Sequence, residues 1–484
     1  MLSGLISQMV SVVVGLIIPR LILIYFGSET NGLLNSLTQI FQYIALLEAG
    51  VGVVSTQVLY GKLSKDDYQE IRSCLSATEY YYRNTGILYT DVVLIFALCY
   101  PLFISSSLSS VEVSWLIISF GINGALNFFI SGKYRILLEA DGRKYVINIA
   151  GLTAALFANL VKVFLILRGY SIVIVQFGYS FINLLQLLII YCYAKQQYRW
   201  IRRKAAPNFH AIEQRYSALI HQISGLIFGS TDMILLSAMC DLKIVSVYAT
   251  YNMIANMVNN LLSQINGSVS FKMGQLYQTD KEKYIIFHHM FEIVNFILVF
   301  TAFTVMYLFL LPFMALYTKG ITDINYLDEK LPLLFVLVQL LSAGRTASAN
   351  VINYAGHFQK TQWRAILESV INLTVSILGI YYLGIYGALL GTIVALLYRS
   401  NDTTWYAAKK LLYIQPWYTY RRWLSCGIIF FGITIVSKNV NFMSKNYLQL
   451  LGKAVATGII LFLVYSVVEG IIERKAIVKC LRLM

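Results

Sequence analysis

Apolar runs and short polar breaks alternate from one end of the chain to the other. The runs fall near 4–25, 32–60, 80–104, 113–138, 145–167, 172–194, 217–238, 244–271, 285–312, 331–356, 363–383, 385–406, 421–437 and 447–470. A helix crosses the ~30 Å hydrocarbon core with about 20 apolar residues. The pattern therefore predicts an all-α polytopic membrane protein with about 14 transmembrane helices. The ~10-residue alternating segments of a β-barrel do not occur. Some breaks are slight: only Leu383-Gly384-Ile385 divides the eleventh run from the twelfth. The first run starts at residue 4 without a basic segment or a cleavage site, so it reads as a retained helix and not as a removable signal.

Composition agrees with this pattern. Of 484 residues, 58% are hydrophobic and 13% charged, and the mean hydropathy is +0.66. Soluble domains are about a quarter charged. The net charge of +15 does not point to nucleic acid, because the charges follow membrane topology. With the N-terminus inside, the inner loops, inner span ends and C-terminal tail collect 26 Lys and Arg. The outer loops collect 6 (Arg168, Lys243, Lys319, Lys330, Lys438 and Lys445), and 6 more fall within spans. One missed helix would invert every later loop, so this bias supports the span count and places both termini in the cytoplasm. The basic inner loop 195–216 reads as a helix on the anionic inner leaflet, with a docking surface for a cytoplasmic partner as the alternative. The six cysteines are scattered, and the His288–His289 pair has no cysteine or carboxylate cluster near it, so no metal or other cofactor is expected.

Spans one to six and seven to twelve repeat at a near-constant offset. Ala140-Asp141-Gly142 precedes Ala355-Gly356-His357 by 215 residues, and Gly169 precedes Gly384 by 215. Both halves begin inside, which makes the repeat parallel, with the site expected between the halves. The chain divides into an N-terminal six-helix lobe (1–194), a basic linker (195–216), a C-terminal six-helix lobe (217–406), and two extra helices with a cytoplasmic tail (407–484). Pseudo-symmetric six-helix lobes are a transporter architecture. A membrane enzyme would need a loop to hold its catalytic groups. The longest outer loop, 313–330, carries no Ser/His/Asp or paired-carboxylate constellation, so an enzyme is not expected.

Ionisable residues inside a membrane are costly and are functional candidates. Arg345 and Asp91 fall near the midplane, and Glu48 slightly to its inner side. Arg20, Lys162 and Asp232 lie nearer the outer face, where Arg20 and Lys162 could snorkel. Glu292, Glu368, Arg399 and Asp402 are expected at the inner interface. The cations suit an anionic cargo, since Arg recognises phosphate bidentately. Carboxylates among them imply ion pairs or coupling to a proton or sodium gradient. Arg20, Glu48, Asp91, Lys162 and Arg345 are the cavity candidates. Arg20 and Asp232, at similar depth on repeat-mate spans, are expected to pair in a closed outer gate. Arg20 and Glu48 differ by about 15 Å in depth, too far for a direct pair. Small residues at Ser7, Ser11 and Gly15 read as helix packing, and most of the 35 tyrosines as interfacial belts.

The stretch SQMVSVVVGLIIPRLILIYFGSETNGLLNSLTQIFQYIALLEAGVGVVSTQVLYGKLSKDDYQEI resembles the N-terminal signature of Wzx-type polysaccharide flippases. There, PR-x-x-L leads to a GxxxxGL turn and then LL-[DE]-x-G. LLEADGRKY at 137–145 is similar to the family's LL-x-A-x-G-K. The resemblance implies the two-lobed fold shared with multidrug and toxin extrusion (MATE) exporters and lipid II flippases. It implies transport of undecaprenyl-diphosphate-linked oligosaccharide from the cytoplasmic to the outer leaflet of a bacterial inner membrane, for capsule or O-antigen assembly. It assigns Arg20 and Glu48 to the cavity or gate of the first lobe. Membrane lipids, a polysaccharide polymerase and chain-length machinery are the implied partners. Two rivals are a cation-coupled exporter of small molecules, which predicts an acidic cavity, and a membrane glycosyltransferase or polymerase, which needs a large catalytic loop.

Overall fold

The computed structural model describes the backbone of residues 2–48, 68–202, 205–209, 230–438 and 442–481, with isolated residues 52, 55, 56, 58, 59, 62 and 440. All regular elements among these are helical. The chain forms two compact units, Met1–Ser246 and Val247–Met484. This boundary falls beyond the linker at which the repeat divides. Residues 230–246 thus pack with the first repeat.

In unit one, α1 (Leu2–Ile44) is two helices merged across a kink at Gly27, whose φ of 81° only glycine adopts freely. The turn expected at FGSETNG is therefore confined to one residue. A short 3₁₀ turn, Ala45–Glu48, follows. Then come α2 (Tyr68–Phe103), α3 (Ser110–Leu126), α4 (Gly132–Ala140), α5 (Lys144–Leu167) and α6 (Ile172–Gln197). A helix over residues 230–239 and the start of α7 (Leu242–Thr279) complete the unit. Unit two holds the rest of α7, then α8 (Lys281–Tyr317), α9 (Leu331–Gly344), α10 (Thr346–Tyr354), α11 (Phe358–Leu383) and α12 (Ile385–Tyr406). The last helices are α13 (Trp417–Ser437), α14 (Tyr447–Ile472) and α15 (Arg474–Leu481).

Among the described residues, eight helical segments are long and apolar enough to span a membrane. Expected spans 385–406 and 421–437 are also helices, while most of 217–238 lies outside the described residues. Many large apolar side chains stay exposed on the spans: on α14, Leu448, Leu451, Ile459, Leu463 and Ile471 face outward while Leu461 and Tyr465 are buried. Water would penalise such a surface, whereas lipid solvates it. The chain is a multi-pass membrane protein.

The repeat is written in the helix ends. Gly142 (φ 72°) and Gly356 (φ 66°) close the fourth spans, each with the two hydrogen bonds of a Schellman cap: Arg143 to Leu138 and Gly142 to Glu139, then His357 to Ile352 and Gly356 to Asn353. Gly169 (φ 76°) and Gly384 (φ 55°) turn the fifth spans into the sixth. Each of these positions needs a left-handed residue, so the spacing read in the sequence marks equivalent turns.

The described part of the linker packs on α2. Trp200 packs against Tyr68 with ring centroids 5.0 Å apart, and Phe209 against Tyr80 and Tyr81 at 5.4 and 5.7 Å. These rings are used in packing against the first turns of α2.

Candidate functional site

Both fourth spans are interrupted. α3 passes through a π-helical turn, Asn127–Ser131, before α4 begins. α9 ends at Gly344, and Arg345 (φ −79°, ψ −6°) joins it to α10. Ile130 lies 215 residues before Arg345, so the breaks occupy the same place in the repeat. An interrupted helix turns backbone groups and side chains out of the regular ladder, and such breaks recur at functional sites. In each unit a polar cavity borders the break.

In unit two the cavity has a volume of about 200 Å³ and is lined by Asn259, Ser263, Asn266, Ser270, Thr346 and Asn350, among others. Asn266 donates to Asn295 Oδ1 at 3.0 Å, and Asn295 donates to the Ala343 carbonyl at 3.4 Å. The Arg345 guanidinium is committed elsewhere. It donates to Glu368 at 2.9 Å, and Arg399 Nε approaches the other Glu368 oxygen at 3.2 Å. Arg399 also reaches Asp402 at 3.0 Å, and Arg364 pairs with the same Asp402 while stacking on the Tyr406 ring at 4.8 Å. Three guanidiniums share two carboxylates, which leaves a formal excess of one positive charge.

This corrects the expectation that Glu368, Arg399 and Asp402 are interfacial. α11 begins at Phe358, so Glu368 lies about 15 Å along it. α12 runs on through a π-helical segment, Ala407–Leu412, which moves Arg399 and Asp402 away from the helix end. Arg345 is therefore one member of an ion-paired network and not an isolated midplane cation.

In unit one the cavity measures about 370 Å³ and is lined by Asn123, Asn127, Arg135, Tyr179, Asn183 and Gln186 with neighbouring apolar groups. Lys162 is not among the lining residues. It is buried, at 9% exposure, with Nζ donating to Gln176 Oε1 at 3.2 Å and lying 4.8 Å from the Tyr179 ring. It does not snorkel: the amide and the ring face replace water, and no carboxylate balances it among the described residues. Asp91 is exposed on α2 in a stripe with Ile87, Leu88, Leu94, Ile95 and Leu98. It has no partner among the described residues.

The first hairpin packs against residues 230–246 inside unit one. Asn31 donates to Ser246 Oγ at 2.7 Å, two residues separated by the repeat offset of 215. Ser230 donates to Gln42 at 2.9 Å, and the Tyr43 and Thr231 hydroxyls are 2.6 Å apart. A Cβ on Gly32 would lie 1.8 Å from the Leu242 carbonyl oxygen, so the backbones nearly touch. Beside this contact lies a cavity of about 540 Å³ lined by Glu29, Ser105, Ser106, Ser107, Asp241 and Lys243 among others. Arg20 is half-buried and Asp232 buried, both in unit one. Glu48 ends the 3₁₀ turn, and its side chain lies outside the described residues.

A second buried charge cluster was not expected. Arg422 on α13 is 0% exposed and pairs with Glu292 on α8, at 1%, and with Glu473 at 3.0 Å, itself at 2%. Thr419 donates to the other Glu292 oxygen at 2.7 Å, and Arg421 Nε donates to Glu473 at 3.1 Å. Glu469 accepts from Ser425 beside them. Glu292 is thus a buried anchor for the C-terminal helices. Burial pushes the Glu473 carboxyl up, but Arg422 and Arg421 outweigh this and hold it below the usual carboxylate range.

No protein-family model matches the chain, and no curated protein matches it either. Solved structures do. The lipid II flippase MurJ in an inward-closed conformation aligns with a TM-score of 0.75 at 14% identity, covering 99% of this chain and 100% of that one. An inward-facing MATE-family multidrug resistance transporter of the MOP superfamily aligns at 0.64 and 13% identity, covering 84% of this chain and 98% of that one. The MATE multidrug transporter DinF-BH aligns at 0.60 and 12% identity, covering 84% and 94%. At these identities the likeness establishes the fold alone: this chain has the fold that these structures share.

Proposed function

We propose that the protein is a flippase moving undecaprenyl-diphosphate-linked oligosaccharide from the cytoplasmic to the outer leaflet of a bacterial inner membrane by alternating access. The observation that carries the reading is coverage. The lipid II flippase accounts for 99% of the chain, whereas the two MATE transporters account for 84%. The difference matches in size residues 407–484, which include the helices held to α8 by Arg422. Two additional helices beside a transporter core suit a cargo with a long lipid tail.

The polar breaks in the fourth spans supply amides and hydroxyls for a saccharide, and the net positive network around Arg345 supplies attraction for a diphosphate. Lys162 adds a second buried cation in the first lobe. Arg20 and Asp232 form the outer gate, helped by the contacts that tie the first hairpin to residues 230–246. A carboxylate within a membrane span is a functional candidate. Asp91 is therefore the proposed carrier if transport is coupled to a proton gradient. A polymerase and chain-length machinery would act on the product.

A cation-coupled multidrug exporter is the second reading, favoured by the MATE-like fold. Against it, the two cavities at the helix breaks are lined by no Asp or Glu among the described residues. The reading is tested by complementation. In a cell lacking its own repeat-unit flippase, this chain with the matching glycan enzymes should restore surface polysaccharide. Intracellular accumulation of lipid-linked saccharide despite normal protein levels would refute it.

A further inference from the structure

We propose that the 370 Å³ cavity at the π-helical turn of unit one is a saccharide subsite, which takes the glycan of the lipid-linked cargo and not its diphosphate. This rests on the flippase reading. The cavity is within the roughly 300–1,000 Å³ typical of small-ligand sites. Its polar lining is Asn123, Asn127, Asn183, Gln186, the Tyr179 phenol and a single Arg135. Amides donate and accept at once, as sugar hydroxyls do. One arginine with no second cation in the lining is a poor seat for a diphosphate, and a lining with no acid among its described residues is a poor seat for a cationic drug.

The unit supports the arrangement. Asn127 opens the π-helical turn, and Ser131, at its end, donates to Asn127 Oδ1 at 2.6 Å. Asn183 is tied to the Tyr179 carbonyl at 3.1 Å. Lys162 packs at the Tyr179 ring, 4.8 Å away. Asn123 is the exception: its Oδ1 is buried and accepts no hydrogen bond among the described residues. An unmet buried acceptor destabilises the fold that carries it. Such a cost is expected where a polar group is held ready for a ligand. Asn123 is the group that a saccharide hydroxyl would satisfy.

The full chain in detergent is tested for retention of three probes by native mass spectrometry. These are the lipid-linked saccharide pool extracted from the native membranes, bare undecaprenyl diphosphate, and phosphatidylglycerol as another hydroxyl-bearing lipid. Asn123→Leu should lower retention of the saccharide-bearing pool about tenfold, leave the bare diphosphate unchanged, and leave the melting temperature unchanged or higher. Tyr179→Phe is a second, milder variant with the same expected selectivity. Equal losses for the glycosylated and bare probes, no loss for either, or a loss seen chiefly with phosphatidylglycerol would overturn the subsite. If the parent protein does not retain bare undecaprenyl diphosphate, the flippase reading itself fails, and the subsite with it.

Discussion

Replacing Arg422 with Met leaves a hydrophobic side chain of similar reach and removes the cation from a pocket that water does not enter. Arg422 is 0% exposed, and its carboxylate partners Glu292 and Glu473 are 1% and 2% exposed. Breaking one partner out of such a buried pair costs about 3–5 kcal/mol, because the remaining charge has lost its compensation. Among the described residues, Glu473 keeps Arg421, and Glu292 keeps the Thr419 hydroxyl alone. The loss should therefore fall near the lower end, about 3 kcal/mol, or about a hundredfold in the unfolding equilibrium. Trp423 provides the assay. It packs edge-on against Phe296 and Phe300, with centroids 5.3 and 5.6 Å apart, so its fluorescence should report detachment of α13 from α8. Arg422→Met should melt well below the parent in detergent, and Arg422→Met with Glu292→Met should recover part of the loss. A single variant that melts with the parent, or a double variant whose loss equals the sum of the singles, would refute the argument.

Arg345→Ala should abolish export with little loss of stability, because Arg399 still balances Glu368, whereas Glu368→Ala should lower the melting temperature by removing the carboxylate that Arg345 and Arg399 share and leaving Asp402 to balance Arg364 and Arg399. Expression level, thermal melts and surface polysaccharide separate the two. Gly32→Leu should disrupt the packing of the first hairpin on Leu242, since even a Cβ has no room there; tryptic nicking of α1 would report it. Glu473→Gln should melt below the parent at neutral pH. Because the Glu473 carboxyl is held down in the fold, its stabilisation is complete above the ordinary glutamate value of about 4.3. It is lost as pH falls through the lower folded value, so the two melting curves should converge in acid. Asp91→Asn should preserve folding and weaken transport driven by a proton gradient, measured by imposing the gradient across proteoliposomes.

The spans and the repeat were legible because lipid imposes them locally. Run length reports the thickness crossed, and Gly142, Gly169, Gly356 and Gly384 mark turns that need positive φ. The networks were not legible in the same way. Glu292 and Arg422 are 130 residues apart, and Glu368 and Arg345 are 23 apart, so their pairing depends on packing and not on periodicity. An α11 that begins five residues before its apolar run was enough to turn Glu368 from a midspan charge into an expected interfacial one. The π-helical turn left no mark, since the apolar run continues through Asn127–Ser131. Its cavity did leave one that could have been followed: Asn123 and Asn127, four apart on one span, and Tyr179, Asn183 and Gln186 at helical spacing on another, are polar stripes within apolar runs.

The central claim is movement of a lipid-linked saccharide between leaflets. It is tested most directly in proteoliposomes carrying the purified chain and undecaprenyl-diphosphate-linked oligosaccharide. The quantity to follow is the fraction of glycan exposed to a membrane-impermeant lectin or glycosidase. The account predicts that protein exposes the protected half of the glycan, and that Arg345→Ala reduces this to the level of protein-free vesicles. A protected fraction equal with and without protein, in vesicles where the chain is folded and inserted, would contradict it.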